Sequence, residues 1–261
     1  MCLILVAYKV SAQFPLVIAA NRDEFYARPT QAAQFWNDHP QVLAGKDLQE
    51  GGTWLGVTTA GRFAAVTNYR DGRASLPNGK PYEKSRGALT KNFLVANETA
   101  EMYITNLQNE ADLYNGFNLL IGDGEHLYYC CNRDESGAHK FSWQMLSAGI
   151  YGLSNHVLNT DWPKVLKGKQ HLAAIIDTSN HTQLQNLLLD HSHPPDDQLP
   201  NTFISRDLEK ILSPIFIRGD NYGTRACTSV IYHNTGKLSF SEQTIVEGRP
   251  SGEPRNFEIS A

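Results

Sequence analysis

The 261-residue chain is 41% hydrophobic and 19% charged, a globular balance with enough apolar mass for a large core. Its formal net charge of −4, with lysines and arginines scattered rather than clustered, excludes a nucleic-acid partner. No apolar run approaches about 18 residues, so no membrane span is expected, and four cysteines are too few for a disulfide framework.

In chain order, Cys2–Tyr8 and Phe14–Ala20 are two apolar, β-branched-rich runs joined by the polar segment Lys9–Gln13. They predict a hairpin buried on both faces, which returns Asn21, Arg22 and Asp23 to the neighbourhood of Cys2. A strand is expected at Val42–Gly45. Gly51–Thr58 and Arg62–Asn68 flank the Thr59-Ala-Gly61 turn as a second hairpin. Glycine, proline and charge dominate Tyr69–Glu83, predicting an exposed loop in the position of a flap. Ser85 is suited to cap a helix carrying Leu89, Phe93 and Leu94, and Thr99 to open another through Met102, Tyr103 and Leu107.

Gly116–Ile121 and His126–Cys131 flank Gly122-Asp-Gly-Glu as a third hairpin, and Phe141–Leu146 and Ile150–Leu153 are expected to continue that sheet. Helical periodicity covers Trp162–Ile176, with Pro163 in its first turn, and Thr182–Leu189. Asp190–Asn201 reads as a polar loop and Arg206–Leu212 as a short helix. Thr224–His233 and Lys237–Val246 form a closing hairpin about Asn234-Thr-Gly236. Strands at both ends with helices in two batches predict one domain over 1–261, an α+β fold of two antiparallel sheets stacked and covered by helices.

Cys2 admits two readings. One is a small buried residue on a core strand. The other starts from the small side chain at position 2, which permits removal of Met1. Cys2 would then carry a thiol and a free amine, with ordinary pKa values of about 8.5 and about 7.7–8.0. The amine can take the thiol proton without a histidine. Retained Met1 would block that amine. Asn68 and Asn155 stand where strands end, and Arg225 opens the final strand. Turn chemistry explains each singly, and Arg22 with Asp23 can be a structural ion pair. Together, Cys2 and its amine, Asn68, Asn155, Arg22 and Asp23 supply the nucleophile, base, oxyanion donors and base-holding group of acyl transfer. Adjacent Cys130 and Cys131 point to opposite faces of a strand and make a poor metal pair. The nine histidines read as surface or structural, so no metal and no cofactor is expected. The absence of a basic leader pattern and the unpaired cysteines point to the cytoplasm.

The run Asn21-Arg22-Asp23-Glu24-Phe25 after Met1-Cys2 resembles the NRDE family, called after its animal members the transport and Golgi organisation protein 2 family. Further matches span the chain: Gly52-Thr-Trp-Leu-Gly56, Thr67-Asn-Tyr-Arg70, Gly116-Phe-Asn-Leu-Leu120, Gly149-Ile-Tyr-Gly-Leu-Ser-Asn155, Trp162-Pro-Lys164 and Tyr222-Gly-Thr-Arg225. That family is similar to N-terminal-nucleophile (Ntn) hydrolases of the choloylglycine hydrolase and penicillin V acylase type. The resemblance implies a four-layer αββα fold and a cysteine hydrolase acting on a C–N amide or thioester bond of a small acyl substrate. It assigns the nucleophile to Cys2, the neighbouring arginine and aspartate to Arg22 and Asp23, oxyanion donors to Asn68 and Asn155, and a late site arginine to Arg225. It also carries an alternative, a non-catalytic ligand-binding or trafficking protein that handles acyl-CoA, lipid or haem.

Overall fold

The computed structural model describes residues 2–74 and 81–260. Met1 and part of the expected Tyr69–Glu83 loop lie outside the described residues. The chain divides into two compact units. Unit 1 comprises 2–27, 147–154 and 158–260, and unit 2 comprises 28–146 and 155–157.

Unit 1 is built on β1 (Cys2–Tyr8) and β2 (Leu16–Phe25), an antiparallel pair in which Cys2 stands opposite Arg22 and Tyr8 opposite Leu16. From its second residue onward β1 is buried on both faces, as consecutive apolar residues predict. The Asn21-Arg22-Asp23 run lies within β2 rather than after its end. β10 (Gly149–Leu153) pairs with the outer edge of β1, and β11 (Tyr222–Tyr232) with the other edge of β2. β12 (Lys237–Val246) follows as the expected hairpin partner of β11.

Two pairings correct the sequence reading. β10 does not continue the preceding sheet but joins β1. The chain also does not close on β12, because β13 (Arg249–Pro250) and β14 (Arg255–Ser260) both pair with it. β14 is short and largely exposed, with only Phe257 and Ile259 alternating as apolar residues; Ile259 is buried opposite Leu238 and Phe257 meets Phe240 edge-on. Helices α3 (Pro163–Ile175), α4 (His181–Leu188) and α5 (Arg206–Ile211) complete the unit.

Leu3, Leu5, Val17, Ala19 and Cys227 of the sheet bury against Val165 and Leu172 of α3 and Leu184, Leu187 and Leu188 of α4. α3 approaches closely because Gly168 faces Leu5: a Cβ there would stand 2.7 Å from Leu5 Cδ1. Asn180 caps α4 by accepting from the Gln183 N–H, and Ser205 caps α5 by accepting from the Leu208 N–H.

Unit 2 is a meander of seven strands in sequence order. They are β3 (Thr30–Phe35), β4 (Val42–Asp47), β5 (Leu55–Thr58), β6 (Phe63–Asn68), β7 (Phe117–Gly122), β8 (Leu127–Arg133) and β9 (His139–Met145). β3 had no counterpart in the sequence reading. Its sequence is glutamine-rich, and a bulge between Gln31 and Gln34 breaks its register with β4.

The two expected helices are present as α1 (Arg86–Val95) and α2 (Ala100–Gln108), the latter capped by Thr99, which accepts from the Met102 N–H. Leu89, Phe93 and Leu94 of α1 and Ile104 and Leu107 of α2 bury against Val42, Ala64, Val66, Leu119 and Cys130. Cys130 lies in this core while Cys131 bonds toward the Arg133 carbonyl and Ser142, so the pair do face opposite ways. No helix among the described residues is long and apolar enough to cross a membrane.

Candidate active site

Directly opposed residues of an antiparallel pair share a face, so the β1–β2 register places the Cys2 and Arg22 side chains together. The hairpin thus delivers the juxtaposition that its short link implied. Cys2 is partly exposed, while Arg22 is buried. At the same end of β1, Ser154 Oγ donates to the Cys2 carbonyl at 3.2 Å, fastening the end of β10 to the first described residue. Burial pushes the Cys2 thiol up. The Asp23 charge adds to that, while a hydrogen bond from the Asp23 backbone and the Arg22 charge oppose it.

Asp23 points the other way along β2 and is 1% exposed. Thr224 of β11, its Cα partner, donates from Oγ1 to Asp23 Oδ1 at 2.7 Å and accepts from the Ile217 N–H at 2.9 Å. Tyr222 Oη donates to the Asp23 carbonyl at 3.0 Å. Burial is the largest influence on the Asp23 carboxyl and pushes it up; the Lys164 ammonium, the Thr224 hydroxyl and Arg22 pull the other way.

Glu24 is less buried. It accepts from its neighbour Phe25 N–H at 2.9 Å and lies 3.9 Å from Arg22 Nη2. Of the two carboxylates in the run, Asp23 is therefore the buried one, bonded by Thr224 of β11.

Arg225 does not open a strand. It occupies the bulge between Thr224 and Ala226 in β11, and its Nη1 donates to the Phe25 and Tyr26 carbonyls at 2.8 and 3.0 Å. Burial first, and then the Arg22 charge, hold its guanidinium below the usual range. Unit 1 thus brings Cys2, Arg22, Asp23 and Arg225 to one end of its sheet.

Asn68 ends β6 in unit 2, and its carbonyl accepts from Asn155 Nδ2 at 3.0 Å. The Asn155 carbonyl in turn accepts from the Arg70 N–H at 2.7 Å. Unit 2 brings these two asparagines together.

Sequence reasoning missed Thr224, Tyr222 and Lys164. All three lie in runs quoted for the family resemblance, but nothing local says that a threonine will meet a carboxylate 201 positions away. Lys164 is 5% exposed, with Nζ donating to the Leu212 carbonyl at 2.9 Å. A lysine in the first turn of a helix otherwise reads as solvated. Among the described residues no three His, Cys, Asp or Glu side chains gather as a metal site requires.

The family model for Transport and Golgi organisation 2 matches residues 1–247. The chain belongs to the Transport and Golgi organisation 2 family. The mouse Transport and Golgi organization 2 homolog is 34% identical over 252 residues, covering 90% of this chain and 88% of the mouse protein. The human Transport and Golgi organization protein 2 homolog is 34% identical over 266 residues, covering 95% and 93%.

Two solved structures share the fold. The N-acylethanolamine-hydrolyzing acid amidase ortholog of Caenorhabditis elegans aligns with a TM-score of 0.56 at 11% identity, covering 88% of this chain and 92% of that one. Penicillin V acylase from Agrobacterium tumefaciens aligns at 0.54 and 13% identity, covering 99% and 86%. The fold class is therefore the α+β fold of the Ntn hydrolases, as the resemblance implied.

Proposed function

We propose that this family member is an N-terminal-nucleophile hydrolase that cleaves the amide or thioester bond of a small acyl substrate with Cys2, after removal of Met1. The observation that carries the proposal is the register that sets Cys2 opposite Arg22 at the start of β1, with buried Asp23 next in the chain.

Burial raises the thiol, so reaction near neutral pH needs a base and positive charge at hand. The freed Cys2 amine supplies the base, and Arg22 favours the thiolate. The amine takes the thiol proton and the sulfur adds to the carbonyl carbon. The leaving amine or thiol departs with that proton, leaving a thioester acyl-enzyme. Water then adds, the acyl group leaves as a carboxylic acid, and the sulfur regains a proton. Asp23, held by Thr224, positions the amine. All four cysteines have free thiols, which fits a reducing compartment such as the cytoplasm.

A second reading, a non-catalytic carrier of an acyl-CoA, lipid or haem, is favoured by the same upward shift of the thiol, which keeps it neutral. Intact-mass spectrometry separates the two. The hydrolase requires loss of Met1 and single labelling by an acyl-mimicking electrophile, abolished in Cys2→Ala with the fold retained. Retained Met1 with saturable ligand binding, or turnover by Cys2→Ala, removes the hydrolase.

A further inference from the structure

Unit 2 holds a feature that the chemistry of Cys2 does not use. A cavity of about 380 Å³ opens beside the ends of β6 and β8, lined in part by Tyr69, Tyr82, Arg133 and Ala138. Arg133, the last residue of β8, is 5% exposed. Its Nη1 donates to the Asn132 carbonyl at 2.8 Å and lies 3.1 Å from His139 Nδ1, and its Nη2 donates to Tyr82 Oη at 3.2 Å. Among the described residues these are the hydrogen bonds of its guanidinium, and no carboxylate lies within ion-pair distance of it; the nearest link is through His139, whose Nδ1 also lies 3.1 Å from Asp112 Oδ1. A guanidinium has five N–H donors, so Nε–H and one Nη2–H are left over.

Asp71, the one carboxylate among the lining residues, feels the Arg133 charge but is bonded to Arg73 instead. Arg73, which also lines the cavity, is matched by Asp71: Nε to Oδ1 at 3.0 Å and Nη2 to Oδ2 at 2.8 Å. Gly116 keeps the Arg133 stem in place, since a Cβ there would stand 2.9 Å from Tyr69 Cβ and 3.4 Å from Arg133 Cγ. A buried guanidinium without a counter-ion is costly, and an anion arriving from solvent removes that cost.

We propose that this cavity binds a small monocarboxylate, its carboxylate on Arg133 and its remainder beside the Tyr69 and Tyr82 rings. With Asp71 bonded to Arg73, Arg133 leaves the lining one positive charge in excess, which matches a monoanion rather than a dianion. The planar fork of a guanidinium matches a carboxylate. The volume is at the small end of ligand pockets, enough for a molecule the size of benzoate. The inference stands on unit 2 alone.

Isothermal titration of the full-length protein with benzoate, alongside inorganic phosphate, tests it. Saturable one-site binding of benzoate, tighter than phosphate, is expected, with Arg133→Gln weakening it about tenfold or more. Ala138→Phe fills the cavity from an exposed position, keeps Arg133 in the chain and is expected to abolish binding, so the test survives an unstable Arg133 variant. Absence of saturable benzoate binding, phosphate binding tighter than benzoate, or benzoate binding unchanged in a folded variant each overturns the proposal.

Discussion

Replacing Thr224 by valine deletes one hydroxyl from a fully buried position with little change of volume. That hydroxyl makes two bonds, one to Asp23 Oδ1 at 2.7 Å and one from the Ile217 N–H at 2.9 Å. Loss of a hydrogen bond to a charged group costs about 1.5–3 kcal/mol, and an orphaned buried N–H about 1–3 kcal/mol. The two costs overlap through shared relaxation, so Thr224→Val should destabilise the protein by roughly 2–4 kcal/mol. Urea unfolding of the wild type, Thr224→Val, Asp23→Asn and the double variant measures both the total and the Thr224–Asp23 part. The valine should cost about 1 kcal/mol less in the Asp23→Asn background, because the charge-assisted share is already gone there. A cost below about 0.5 kcal/mol, or equal costs in the two backgrounds, refutes the reasoning.

Asp23 also shapes the pH dependence of stability. Burial raises its carboxyl above 3.8, so the folded chain keeps this proton to higher pH than the unfolded chain does. The stability linked to this group is therefore full below the unfolded pKa and is lost as pH rises through the raised folded value. Asp23→Asn should gain on the wild type as pH climbs above 3.8, and parallel melting-temperature curves would refute this. Gly52→Ala should destabilise by about 1–3 kcal/mol, since its Cβ would meet backbone rather than a movable side chain, at 2.6 Å from Gly87 O and 2.9 Å from Gly87 Cα. Native-like urea midpoints for that variant would contradict it. If the oxyanion role implied for Asn68 and Asn155 holds, Asn68→Ala and Asn155→Ala should each lower kcat by about 10²–10³-fold. Unchanged kcat in both, measured on the substrate that labels Cys2, removes them from the reaction.

Much of the local architecture was legible in the chain itself. Apolar runs about a short polar link fixed the β1–β2 hairpin, and compact glycine turns marked β5–β6 and β7–β8. Thr99 and Pro163 announced the helices that follow them, because capping is chemistry between residues three or four apart. The same locality made Cys2, Arg22 and Asp23 predictable as neighbours, since a hairpin needs no distant information to set its register.

Tertiary structure alone decided which edges accept which strands. β10 pairs with β1 rather than following β9, β11 closes on β2 across some 200 residues, and β14 adds to β12 with only Phe257 and Ile259 as apolar signal. Pairing at that range depends on which edge is left open once the hairpins have formed, and no local pattern encodes it. That long-range choice sets Asn21–Asp23 between strands on both sides, with β11 on the edge of β2 away from β1. It sets Thr224 against Asp23 and spends Arg225 on the carbonyls of Phe25 and Tyr26. The amino-acid order determined which reactive groups stand beside Cys2; packing determined how far each is buried, and so which way the Cys2 thiol and the Asp23 carboxyl shift.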